Sequence, residues 1–128
     1  MGMFDEVKCG IDNKEYQSKD ICGVYVSRDG QVGHVKRLPD LDLVFIEPDG
    51  FMKIIPSALY STDIGGMDRG IVKYLLEHKY LETLTGLSVC DFTPRGDFCL
   101  YDGDNNKELV AVVRGGRVAH IQNRAYRR

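Results

Sequence analysis

Apolar and polar positions in this chain alternate over short runs far more often than they recur every three or four residues, and that period predicts strands. Met3 to Lys8 alternates weakly and reads as an opening strand that stops where Gly10, Asp12 and Asn13 signal a loop. Tyr16 to Asp20 then leads into a clearer pattern. The β-formers Val24, Tyr25 and Val26 lie between Gly23 and Ser27, Asp29-Gly30 offers the positive φ of a tight turn, and Val32 to Val35 returns antiparallel. A second hairpin is expected from Leu41 to Glu47 and Phe51 to Ile55, joined by Pro48-Asp49-Gly50.

The period changes after a mixed connection over Pro56 to Gly66. From Asp68 to Leu84 the apolar residues Ile71, Val72, Leu75, Leu76, Tyr80 and Leu84 fall at three- and four-residue spacings, which predicts one amphipathic helix with Asp68 as N-cap and Gly86 as stop. Strand alternation then resumes in Leu87 to Thr93, Asp97 to Tyr101, Glu108 to Arg114 and Arg117 to Gln122. The breaks between them are Pro94-Arg95-Gly96, Gly103 to Asn106 and Gly115-Gly116, so these runs read as a four-stranded meander. The expected fold is α+β: an antiparallel, hairpin-rich bent sheet, with two N-terminal hairpins and a C-terminal meander, packed on one amphipathic helix. Residues 1–128 are expected to form a single domain with a flexible basic tail at 123–128, since no repeat or linker divides the chain.

Composition narrows the class. At 43% hydrophobic and 28% charged residues the chain has the makings of a core, and its longest clean apolar runs, such as Leu109 to Val113, are too short for a membrane helix. The start, Met-Gly-Met-Phe-Asp-Glu, lacks the basic and apolar regions of a secretion signal, so a cytoplasmic location is expected. Cys9, Cys22, Cys90 and Cys99 form no C-x-x-C pair and are read as reduced thiols, although Cys90 and Cys99 flank an expected turn and would face each other across a hairpin.

Known chemical motifs fail one by one. With His34, His78 and His120 scattered, the cysteine spacings do not match a zinc site, and no metal or cofactor is expected. Asp102-Gly-Asp104-Asn-Asn106 begins like a calcium loop, but Lys107 takes the place of its central glycine and Val113 that of its final glutamate. Asp63-Ile-Gly65-Gly66 lacks the Lys-Ser/Thr pair of a phosphate loop. An enzyme remains an alternative only through residues that meet in space, with His34, His120, Asp97 and Asp102 as candidates; no catalytic residue is assigned and the balance leans against an enzyme.

The formal net charge of -2 gives no general attraction to polyanions, yet it is unevenly spread: residues 86–128 carry +2 and the rest -4, and no acid follows Gly115. The C-terminal third supplies the candidate binding residues. Arg95, Arg117 and Tyr126 are candidates for protein contact, and Arg114, Arg117, Arg124, Tyr126, Arg127 and Arg128 for nucleic acid, because guanidiniums beside an aromatic ring hold phosphates and stack on bases.

Both ends of the chain carry a resemblance. Met3-Phe4-Asp5-Glu6 followed by Tyr16-Gln17-Ser18-Lys19, and at the other end Asp97-Phe98-Cys99-Leu100-Tyr101-Asp102 with Leu109 to Ile121, resemble small phage and prophage proteins that begin Met-Phe-Asp and continue to an aromatic-Gln-Thr/Ser-Lys segment. Some of those proteins carry a C-x-x-C pair after the first strand; here Cys9 is followed by Gly10, Ile11 and Asp12. The resemblance implies a phage-encoded protein in the host cytoplasm and transfers no catalytic residue. The expected function is a non-enzymatic accessory protein that binds another protein, a host factor among the candidates, through a sheet edge or exposed hairpin. The alternative is a nucleic-acid-binding module using the Arg-rich C-terminus.

Overall fold

The computed structural model describes residues 4–27, 29–37, 42–56, 89–103 and 106–124. Its strands are β1 (Asp5–Cys9), β2 (Lys14–Ser18), β3 (Gly23–Val26), β4 (Val32–Val35), β5 (Leu43–Ile46), β6 (Met52–Ile55), β7 (Cys90–Pro94), β8 (Phe98–Asp102), β9 (Lys107–Arg114) and β10 (Arg117–Asn123). They join one sheet in the order β10-β9-β8-β2-β1-β5-β6-β7-β3-β4.

Two hairpins form about the expected turn residues. In β3–β4 the Ser27 amide donates to the Gln31 carbonyl at 2.8 Å and Gly30 sits at φ 85°. In β5–β6 the Glu47 amide donates to the Phe51 carbonyl at 2.8 Å with Gly50 at φ 91°. Both glycines occupy left-handed backbone that a side chain disfavours. A third hairpin, β1–β2, pairs Asp5 with Ser18 through to Cys9 with Lys14. Its turn ends in Asn13 at φ 59°, a conformation asparagine tolerates better than most residues.

The expected α+β class is overturned. Every regular element among the described residues is a strand, and no helix occurs among them; the amphipathic stretch Asp68 to Leu84 lies outside the described residues. The cover that the core was expected to take from a helix comes, on its inner face, from the sheet itself. Leu109 and Val113 of β9 and Val118 and Ile121 of β10 pack onto the same cluster as Val7, Val44, Ile54 and Phe92 from the middle strands. A sheet that curls onto its own apolar face needs no second layer there.

Two further expectations are corrected. The sheet is mixed and not purely antiparallel, because β1 runs parallel to β5 with Val7 beside Val44 and Cys9 beside Ile46. All four residues of β5 are buried, so both faces and both edges of that strand need neighbours; β6 takes one edge as hairpin partner and β1 the other. The four-stranded meander reduces to β8–β9–β10. The strand β7 lies instead between β6 and β3, and the Arg95 amide extends that ladder by donating to the Cys22 carbonyl at 2.9 Å. Cys90 and Cys99 therefore sit on strands that are not neighbours, and all four cysteines are free thiols.

The inner face follows the register. Cys9, Ile46, Met52, Phe92, Tyr25 and Gly33 form a continuous cross-strand row over β1, β5, β6, β7, β3 and β4. Gly33 stands in this row because the Tyr25 ring lies across it where a Cβ would go. At the other side of the sheet, pairing shifts between Val118 and His120, which makes Ala119 the extra residue of a β-bulge. The bulge matters for packing. Val118 and Ile121 are three residues apart, so strict alternation would point them to opposite faces, yet both pack on the core.

Candidate binding surfaces

An open sheet has two edges, and here they differ in how they are guarded. Along β10 the bulge at Ala119 interrupts the ladder, and Arg117, His120 and Gln122 stand exposed. Bulges and charges of this kind keep an edge from pairing with other strands. The edge at β4 has neither device. Val32, Gly33, His34 and Val35 pair regularly with β3, and among the described residues no strand pairs with their far side. Val32 is 62% exposed and its cross-strand partner Val26 is 42% exposed.

The hairpin that presents this edge is stiffened by its own loop. The Ser27 hydroxyl donates to the Asp29 carboxylate, and the Gln31 amide donates to the Ser27 hydroxyl oxygen at 3.1 Å. The first of these bonds holds the Asp29 carboxyl below its usual range. Burial raises the Tyr25 phenol, so the ring that backs the edge stays neutral at physiological pH.

A second surface gathers at the end of the sheet that carries the β5–β6, β7–β8 and β9–β10 connections. The Val118 amide donates to the Gly50 carbonyl at 2.8 Å, and the Val113 amide donates to the Asp97 carboxylate at 2.8 Å. Arg117 lies 5.2 Å from the ring centroid of Phe51 and donates to the Asp49 carbonyl at 3.3 Å. Arg114 reaches Asp97 at 3.5 Å, while Arg95 extends from the β7–β8 connection as an exposed residue. Of the sequence-selected residues, Arg114 and Arg117 therefore come together as a cross-strand pair, and Arg95 lies on the β7–β8 connection that also carries Asp97.

Arg124 belongs elsewhere. It donates to the Glu108 carboxylate at 2.8 Å and to the Cys99 sulfur at 3.2 Å. At about 3.3 Å rise per strand residue, Glu108 and Arg114 are about 20 Å apart along β9. The guanidinium is occupied by its carboxylate partner. Burial, then the Asp20 carboxylate, raises the Cys99 thiol although Arg124 opposes the shift, which leaves it a poor nucleophile. Tyr126, Arg127 and Arg128 lie outside the described residues.

A polar row crosses the outer face beside Arg124: Glu108, Tyr101, Gln17 and Glu6 are in register over β9, β8, β2 and β1. A hollow of about 450 Å³ opens along it, with Lys19 and Lys107 at its sides. Burial and the Glu108 charge raise the Tyr101 phenol. Acids and bases here largely answer one another.

The residues weighed for catalysis do not converge. His34 is on β4 and His120 on β10, the two opposite edges of the sheet, while Asp97 precedes β8 and Asp102 ends it. Asp97 is exposed and Asp102 buried. Among the described residues no three His, Cys, Asp or Glu side chains gather as a metal site, and no helix is long and apolar enough to cross a membrane. Sequence reasoning missed Phe51, which is 50% exposed. Its signal was an aromatic placed directly after the turn glycine, where a core residue is not needed. No family model, curated protein or solved structure matches the chain.

Proposed function

We propose that this protein is a non-enzymatic, phage-type accessory protein that binds another protein, a host factor among the candidates, by adding an extended segment of that partner to the β4 edge. The phage-type element rests on the resemblance of the two chain ends. The observation that carries the binding mode is the contrast between edges: β10 is bulged and polar, whereas β4 is regular, apolar at Val32 and backed by a pinned hairpin. Strand addition uses main-chain hydrogen bonds for affinity and alternate side-chain positions for selectivity. Val32 and His34 point to the outer face and would select what sits beside them.

The test is recovery of a tagged copy from an infected or lysogenic host, beside a Val32→Lys variant. Val32 is exposed, so the variant keeps the core, and a charge on the edge opposes pairing. A partner retained by the original chain and reduced tenfold or more by Val32→Lys supports the reading. Recovery of the protein alone, or equal recovery of the partner by both chains, ends it.

A further inference from the structure

We infer that the end of the sheet formed by the β5–β6, β7–β8 and β9–β10 connections is a binding site for single-stranded nucleic acid, with phosphates on Arg95, Arg114 and Arg117 and a base on Phe51. This site is separate from the β4 edge and stands without the reading of that edge. Arg114 and Arg117 are directly opposed across the β9–β10 ladder. Like charges in that relation repel; Arg114 donates to the Val113 carbonyl at 2.7 Å and reaches the Asp97 carboxylate at 3.5 Å, a long ion pair that offsets only part of the repulsion. An anion between the two guanidiniums removes the conflict.

The ring beside them is presented and held. Phe51 is half exposed although its turn is fixed on three sides: its amide donates to the Asp49 carboxylate at 3.1 Å, its carbonyl accepts from Glu47, and Gly50 is tied to Val118. The Arg117 guanidinium packs 5.2 Å from the ring centroid, which makes a planar apolar and cationic pair. Bases stack on such rings irrespective of sequence while the backbone meets the cations. An acidic peptide would satisfy the charges and leave Phe51 unused, so nucleic acid fits the pair better.

Asp97 and Asp49 offset part of the arginines' charge, and each is held in place by a backbone amide, that of Val113 and that of Phe51.

Fluorescence anisotropy of labelled twelve-nucleotide oligo(dT) and oligo(rU), titrated with the full chain at 50 and 200 mM salt, tests the proposal and separates DNA from RNA. Three phosphate contacts predict weakening of about 15- to 20-fold between the two salts. Phe51→Ala should weaken binding about tenfold at both salts and leave the salt dependence unchanged. Arg114→Gln/Arg117→Gln should flatten that dependence, and Arg124→Gln, at the far end, should change neither. Circular dichroism confirms that each variant is folded. No anisotropy change at 50 mM salt, wild-type binding by Phe51→Ala, or loss of binding only on Arg127→Gln/Arg128→Gln would overturn the proposal. So would competition by polyglutamate equal to that by unlabelled oligonucleotide.

Discussion

The amide of Val118 donates to the carbonyl of Gly50 at 2.8 Å, joining the edge strand β10 to the β5–β6 turn in the middle of the chain's sheet. Gly50 makes this possible twice over. It holds φ 91°, and a Cβ there would overlap the Val118 carbonyl oxygen.

Gly50→Ala is therefore expected to cost about 3 kcal/mol or more in urea unfolding, as the sum of left-handed backbone strain and a backbone overlap. Gly30 has φ 85° with open space around its Cβ position, so Gly30→Ala should cost only about 1–2 kcal/mol. Equal losses at the two sites would show that the β10 contact adds nothing.

Gly23 and Gly33 separate two kinds of crowding. An added methyl at Gly33 meets the tip of the Tyr25 ring, which rotates, whereas at Gly23 it meets the Thr93 carbonyl as well as the Phe92 ring. Gly33→Ala should lose about 1–2 kcal/mol and Gly23→Ala about 3 or more. Combining Gly33→Ala with Tyr25→Ala should be less harmful than the two single losses added together.

Deletion of Ala119 tests the bulge. Without the extra residue, alternation turns either Val118 or Ile121 out of the core, at a cost of about 1.5–3 kcal/mol. Amide exchange should quicken along β9 and β10 first. Unchanged exchange there would mean that the ladder re-registers without loss.

Burial raises the Cys9 thiol from 9.0 to about 11, against backbone donors at Asp12 and Ile11. Between those values the unfolded chain sheds the proton and the folded chain keeps it, so stability is intact below pH 9 and falls as pH rises toward 11. The loss reaches about 2–3 kcal/mol. Urea midpoints from pH 8 to 11 should decline less steeply in Cys9→Ala. Parallel slopes would assign the decline to other groups.

Much of the local structure is legible in the chain. Asp29-Gly30 and Pro48-Asp49-Gly50 specify their hairpins because the turn conformation depends on residues adjacent in sequence. Arg95, Arg114 and Arg117 could be picked out one at a time for the same reason: charge is a property of the residue. Their grouping, and the removal of Arg124 to the other end of β9, depend on register over four connections and had no local sign.

Hydrophobic alternation determined that this chain makes short strands, and the Gly, Asp and Pro residues between the runs determined where its tight turns fall. Only the tertiary structure decided that β7 pairs with β6 and β3 and not with β8, that β1 lies parallel to β5, and that the sheet folds its inner face onto itself. Alternation says which side of a strand is apolar but names no neighbour, since any two apolar faces satisfy it. The choice comes from filling one shared interior, where Val118, Ala111, Phe92 and Val7 must fit together at once.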